Sequence, residues 1–314
     1  MKKRALPVAV LTAGLVIGSM VTGVSPASAQ GDPVYGEGNV YYLSGALNDD
    51  GMAQDVLVFG DPYDEVYFGD WYGDGVDLPM VRRGNIFYIP NADNPSLTAN
   101  VFAYGDEGDE VYVGDWNGDG VDSLAVRRGY HYFVKNDNRF SGRADSEFSY
   151  GDPDDIILVG NWDGNLVAPA PGEAGKGDTL AVQRGNQFFV KNSITTGVAD
   201  YTFLFGDPGD EVLVGDWVSL TPGGDGTETV ESGDGADQLA VRRGYTYFLS
   251  SELDDARTRK ANPSTARDFE YGDPDDAVFV ASLPTPVDEN GQLTTWDAAV
   301  ANIEGDGLGV RRFD

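Results

Sequence analysis

The chain has no cysteine and one histidine in 314 residues, and only 21 Lys and Arg against 52 Asp and Glu. Without cysteine there is no disulfide framework, zinc ribbon or thiol nucleophile. His131 stands between Tyr130 and Tyr132 with no G-x-S-x-G or H-E-x-x-H context, so nothing marks it as catalytic. The shortage of cations, at a net charge of −31, argues against nucleic-acid and anionic-membrane partners. It favours cations or basic partners, with plain colloidal solubility as the simpler explanation of the same acids. Apolar residues at helical spacing are also missing after residue 29.

The one long apolar run is at the N-terminus. Lys2, Lys3 and Arg4 precede an apolar stretch from Val8 to Val24, and Ala27-Ser28-Ala29 ends it, which reads as a secretory signal peptide over 1–29. An uncleaved anchor is the alternative, although 17 residues are few for a bilayer span. Cleavage removes three positive and no negative charges, so −31 becomes −34. The expected product is secreted, with no membrane insertion of the mature chain. A short lead over 30–38 then precedes one domain over 39–314.

What is abundant is glycine, 42 residues, with 16 Tyr and 15 Phe, arranged in repeats. An aromatic-Gly-Asp recurs at Phe59, Tyr104, Tyr150, Phe205 and Tyr271. After each comes an apolar run A (EVYVGDW at 110–116 is the clearest), a run B ending in arginine (SLAVRRG, 123–129) and, in all but the last copy, an aromatic run C (YHYFVKN, 130–136). A run D leads into the next aromatic-Gly-Asp. Four short β-type runs per 45 to 66 residues predict an all-β fold of four-stranded antiparallel propeller blades. The chain opens on C and D (39–45, 53–61) and closes on A and B (277–283, 307–314). The expectation is five blades, one closed by pairing the C-terminal A and B strands with the N-terminal C and D strands, which removes exposed sheet edges.

The turns divide by face. B–C and D–A turns keep nearly constant length. A–B turns span 7 residues from Asp70 to Asp77 and from Asp115 to Asp122, but 17 from Asn161 to Asp178, 21 from Asp216 to Asp237 and 24 from Ser282 to Asp306. Insertions on one face of a repeat array often mark the binding face, against the alternative of tolerated loop drift.

The second A–B turn carries Asp115, Asn117 and Asp119 at alternate positions before Gly120, with Asp122 closing it, a D-x-N-x-D-G spacing suited to a hard cation. It is not an EF-hand, since Val126 stands where a bidentate Glu is required. A self-capped Asp/Gly hairpin is the competing reading. Tyr72 interrupts the first copy, leaving Asp70, Asp74 and Asp77 as a weaker set. Trp71, Trp116, Trp162 and Trp217 follow the first turn position. They suit wedges between blades, or stacking platforms for sugar rings at Trp116, Trp162 and Trp217. The paired arginines of run B, facing the acids of GDP-x-D, suggest inter-blade ion pairing. Arg257, Arg259, Lys260 and Arg267 form the basic cluster of an acidic chain, around the long turn at 252–264, with a solvated loop as the plain reading.

These repeats, V-G-D-W-x-G-D-G-x-D-x-x-A-V-R-R-G after aromatic-Gly-Asp, resemble the FG-GAP/VCBS-like propeller repeats of secreted, particularly actinobacterial, proteins and more distantly the integrin α-chain propeller. The resemblance covers 39–314. It implies a β-propeller with Ca2+ in A–B loops, here at Asp115, Asn117, Asp119 and Asp122, in adhesion or ligand-binding proteins. The family's last acidic ligand commonly falls where Ser123 stands. The function expected is a non-catalytic module for an extracellular protein or glycan, with a lectin and then a glycoside hydrolase as alternatives.

Overall fold

The computed structural model describes residues 33–34, 38–44, 55–163, 177–216, 219–222, 228–231, 236–250, 263, 265–271, 273–274, 277–282 and 306–311. Residues 1–29, where a signal peptide is expected, lie outside them. The strands are β1 (Val40–Ser44), β2 (Asp55–Val58), β3 (Glu65–Gly69), β4 (Leu78–Arg83), β5 (Ile86–Asn91), β6 (Asn94–Ala103), β7 (Glu110–Gly114) and β8 (Ser123–Arg128). They continue as β9 (His131–Lys135), β10 (Ser146–Ser149), β11 (Ile156–Gly160), β12 (Thr179–Arg184), β13 (Gln187–Lys191), β14 (Tyr201–Leu204) and β15 (Glu211–Gly215). The last are β16 (Ser219–Pro222), β17 (Glu228–Glu231), β18 (Gln238–Arg243), β19 (Thr246–Ser250), β20 (Thr265–Glu270), β21 (Ala277–Ser282) and β22 (Asp306–Arg311). No helix occurs among the described residues.

The fold is an all-β propeller of four-stranded antiparallel blades. Four blades are continuous in sequence: blade 1 (β3–β6), blade 2 (β7–β10), blade 3 (β11–β14) and blade 4 (β15, β18, β19, β20). A further four-stranded sheet joins the chain ends in the order β2-β1-β22-β21, with Tyr41 opposite Arg311 and Ser44 opposite Leu308. The innermost strands β3, β7, β11, β15 and β21 each neighbour the next, and β21 neighbours β3. Val34, within the expected 30–38 lead, is buried and its N–H donates to the Val66 carbonyl at 2.6 Å.

Burial follows position in the blade. An innermost strand has a neighbouring blade on both faces, so Val111, Tyr112 and Val113 of β7 are all buried, as are their counterparts in β3, β11 and β15. The outermost strand has an open face, and β6 is mostly exposed. The core therefore lies in the seams. Trp71 packs with Val111, Val113 and Leu124 between blades 1 and 2, and Trp116 with Ile157, Val159 and Leu180 between blades 2 and 3. Trp162 packs with Val212, Val214 and Leu239 between blades 3 and 4. Phe68 of β3 stacks on Phe279 of β21 with ring centroids 4.2 Å apart, which seats the composite sheet against blade 1.

Because β1 covers the edge of β22, a chain lacking residues 31–60 is expected to aggregate through that edge. Size-exclusion chromatography with light scattering checks this. A monomeric truncation with unchanged Tm would show that the terminal strands do not complete the ring.

Candidate functional site

Each A–B turn must reverse the chain within a few residues between two buried strands. In the second turn Gly118 and Gly120 adopt φ of 71° and 81°, so the backbone curls and its amides point inward. Those amides converge on Asp115. Its Oδ1 accepts from Gly118 N at 2.8 Å and Asp119 N at 3.0 Å, and its Oδ2 accepts from Gly120 N at 2.8 Å. Asp119 Oδ1 accepts from Val121 N at 3.0 Å and its Oδ2 from Asn117 Nδ2 at 2.9 Å. Burial pushes the Asp115 carboxyl above its usual value and Asp119 adds to the effect, while the amide donors pull it back. The first turn repeats the arrangement: Asp70 accepts from the amides of Tyr72, Gly73, Asp74 and Gly75. Tyr72, in place of a ligand residue, donates to the Pro90 carbonyl at 2.6 Å.

Asp122 does not belong to this cluster. Its Oδ2 accepts from Asp70 N of blade 1 at 2.8 Å, and its own N–H donates to the Asp70 carbonyl at 2.9 Å. The same two-way contact joins Asp178 to Asp115 at 2.7 Å each way, and Asp237 to Asn161 at 2.6 and 2.9 Å. In blades 2, 3 and 4 the acid that closes the turn thus fastens its blade to the first turn residue of the blade before. Asp77 occupies the same register in blade 1 and is buried. The glycine of GDW makes room for this: a Cβ on Gly114 would lie 2.9 Å from both Asp178 Oδ2 and Val159 Cγ1.

As a four-residue calcium set, Asp115, Asn117, Asp119 and Asp122 therefore do not converge. The first three share the second turn, while the Asp122 carboxylate is taken up by the blade 1 backbone. In the first copy Asp77 is buried immediately before β4, whereas Asp74 is exposed in the turn. Among the described residues no three His, Cys, Asp or Glu side chains gather as around a metal ion.

The other expected ligand-binding residues divide. Trp116 and Trp162 are buried seam wedges, 4 % and 1 % exposed, so they offer no open face to a sugar ring. Trp116 Nε1 donates to the Ser123 carbonyl of its own hairpin at 3.2 Å. Trp217, Arg257, Arg259 and Lys260 lie outside the described residues. In the paired arginines the two members act differently. Arg128 forks onto Asp106 and Asp109 at 2.6 Å, in the linker entering its own blade, and Arg83, Arg184 and Arg243 repeat this. Burial raises the Asp109 carboxyl, but the Arg128 hydrogen bonds and the Asp106 amide outweigh it and hold it below the usual range. The buried partner Arg127 crosses the seam instead, donating to the carbonyls of Asp152 (2.8 Å), Pro153 (3.1 Å) and Asp155 (3.2 Å). Inter-blade linkage by this arginine is thus mainly to backbone oxygens, with Glu110 of its own blade as ion-pair partner. Blade 3 replaces the pair by Gln183 and Ile156, and Gln183 donates only to Gly185 of its own turn.

Two features were not anticipated from sequence. The insert in the fourth A–B turn contains a hairpin, β16–β17. The C–D turns of blades 2 and 3 reach back across their seams: Asn100 Nδ2 donates to Asn138 O at 2.6 Å, Ala103 N to Ser141 Oγ at 2.8 Å, and Ser149 N to Thr196 Oγ1 at 3.1 Å. His131 is exposed and shares a 2.8 Å hydrogen bond with Ser149 across β9 and β10, with no carboxylate orienting its ring.

No protein-family model matches the chain, and no curated protein matches it. Among solved structures it is similar to BBS1N in complex with ARL6DN soaked with mercury, at a TM-score of 0.33 and 11 % identity over 73 % of this chain and 67 % of that one. The lead-soaked crystal of the same complex gives a TM-score of 0.36 and 10 % identity over 73 % and 74 %. Likeness at this level carries no functional argument. No helix of the described residues is long and apolar enough to cross a membrane.

Burial, then the charges of Asp77 and Asp178, raises the Asp122 carboxyl well above its usual value, against the pull of the Asp70 amide. A raised folded value means the native state holds its proton longer than the unfolded chain does. The group therefore costs stability as pH rises above the unfolded value of about 3.9. Asp122→Asn, which keeps an acceptor for Asp70 N, is expected to gain on the wild type between pH 4 and pH 7. Asp122→Ala leaves that buried amide unpaired and is expected to lose about 1–3 kcal/mol. Urea unfolding across pH checks both. An Asp122→Asn chain whose stability relative to the wild type is the same at pH 4 and 7 contradicts the burial account.

Proposed function

We propose that the chain is a secreted, non-catalytic binding module: a five-bladed propeller of the FG-GAP/VCBS-like type that presents its ligand surface on the face of the A–B and C–D turns. The observation that carries this reading is the asymmetry of the two faces. On one, constant-length turns are consumed by arginine forks and seam bridges. On the other, the turns lengthen in three adjacent repeats, and in the fourth the insert builds its own β16–β17 hairpin. The five-blade count is supported by the composite sheet of the chain ends and by the circuit of innermost strands. The recurring acids are engaged in caps, clamps and forks, which disfavours a unique catalytic pair of the glycosidase kind.

The test is retention of labelled residues 30–314 on arrays of glycans and of extracellular proteins, beside a chain in which 219–231 is replaced by a Gly-Ser turn. Saturable binding to one ligand class, weakened at least tenfold by the replacement, is expected. Consumption of an arrayed glycan instead of retention would overturn the non-catalytic reading.

Calcium belongs to this proposal through the resemblance and the spacing of the second turn. Asp115, Asn117 and Asp119 would hold it, their oxygens exchanging backbone amides for the ion, and bound ion would stiffen the hairpin. Millimolar calcium is then expected to raise Tm by several degrees over chelator, by ligand linkage. Asp119→Ala should abolish the shift while Asp122→Asn keeps it. No shift in the wild type leaves the turn as a self-capped hairpin.

A further inference from the structure

The second A–B turn contains a pair of residues that is chemically fragile and structurally covered. Asn117 is followed by Gly118, and glycine has no Cβ to hinder the approach of its own amide nitrogen to the side chain before it. In an unrestrained chain the Gly118 amide gives its proton to a base in the solvent and its nitrogen bonds to Asn117 Cγ. The Cγ–Nδ2 bond breaks and ammonia leaves. Water then opens the resulting succinimide to an aspartate or an isoaspartate, with nothing oxidised or reduced.

Three contacts oppose that closure. The Gly118 N–H donates to Asp115 Oδ1 at 2.8 Å, so the attacking nitrogen is engaged. The side chain it must reach is pinned two residues ahead: Asn117 Nδ2 donates to Asp119 Oδ2 at 2.9 Å, and Asn117 Oδ1 accepts from Asp119 N at 3.2 Å. The third contact comes from blade 3. A Cβ placed on Gly177 would lie 1.9 Å from Asp115 O, 2.7 Å from Gly118 N and 3.0 Å from Trp116 C, so the segment entering β12 lies against this stretch of backbone. Gly177 lacks the positive φ that by itself demands glycine, and the close approach is what requires it. Asp178 fixes the segment in place: its Oδ2 accepts from Asp115 N and its N–H donates to the Asp115 carbonyl, each at 2.7 Å.

The cover over Gly118 N, and the seating of Asp115 that engages it, both depend on blade 3. The reactive pair therefore answers to a residue 63 positions along the chain. We propose that Asn117 is a deamidation site held closed by the seam between blades 2 and 3, so that modification there marks the opening of that seam. The first turn has no such site, because Tyr72 stands at the position of Asn117. The product is disfavoured in the closed turn. A carboxylate at position 117 has no Nδ2 donor for Asp119 and adds a like charge beside the Asp119 carboxylate. Loss of the amide thus weakens the same turn that protected it. The proposal goes beyond the binding-module reading and needs neither a ligand nor calcium.

Residues 30–314 incubated at pH 8 in chelator, with and without urea, and then mapped by peptide mass spectrometry give the rate at which the Asn117 amide becomes an acid or isoacid. The folded chain is expected to convert about tenfold or more slowly than the urea-unfolded chain, since closure must await local opening. Asp178→Ala, which releases the clamp, and Gly177→Ala, which pushes the segment off Gly118 N, should each raise the folded rate severalfold below Tm. Asp237→Ala removes the same clamp from the seam between blades 3 and 4 and should leave the rate at Asn117 unchanged. A folded rate equal to that in urea, or one that neither Asp178→Ala nor Gly177→Ala alters, overturns the proposal. Equal acceleration by Asp237→Ala also overturns it, in favour of modification through global unfolding.

Discussion

Blades 2, 3 and 4 are each held to the one before by a buried aspartate carboxyl that accepts from a backbone amide, and most of the regularity of these seams follows from that contact. Asp122, Asp178 and Asp237 each accept from the first turn residue of the preceding blade and donate back to its carbonyl. Leaving the partner amide unpaired would cost about 1–3 kcal/mol. The larger effect of the contact is geometric. It brings the A–B turn of one blade against the next at one register, so the preceding glycine has no room for a side chain and the tryptophan beyond it turns into the seam. The GDW repeat is thus a packing rule for adjacent blades as much as a turn signal.

On the other face of the ring the seam is closed by arginine. Arg82, Arg127 and Arg242 reach across to carbonyls of the following linker, and their neighbours Arg83, Arg128 and Arg243 brace their own linker by pairs of aspartates. The seam between blades 3 and 4 departs from this, with Gln183 and Ile156 in place of an arginine and its glutamate. Both residues changed together, so no charge is left without its counterpart, as the expense of burying an unpaired ion requires. With both faces of the seams occupied in this way, the A–B turns are left as the part of the repeat that varies most in length.

The repeats, the strand count per blade and the composite sheet could be read in the chain because each strand is a short apolar run bounded by Gly and Asp, and because the termini carry complementary halves of one unit. The burial of Trp116 and Trp162 followed from the same periodicity. The site was legible only in part. Spacing placed Asp115, Asn117 and Asp119 in one turn, but it also suggested Asp122 as their companion. One residue along a strand turns a side chain to the opposite face, and that single step sends Asp122 to the neighbouring blade.

By itself the sequence determined what is local and repeated: an acidic chain without disulfides, four strands to a unit, glycine where the turns bend and one face with lengthened turns. These depend on residue type, alternation and spacing over a few positions. Only the tertiary structure decided which acid serves its own turn and which serves the next blade, and which arginine is buried. Those depend on contacts between blades, joining residues from 24 to 76 positions apart in the chain, where a one-residue difference in register reverses the direction in which a side chain points.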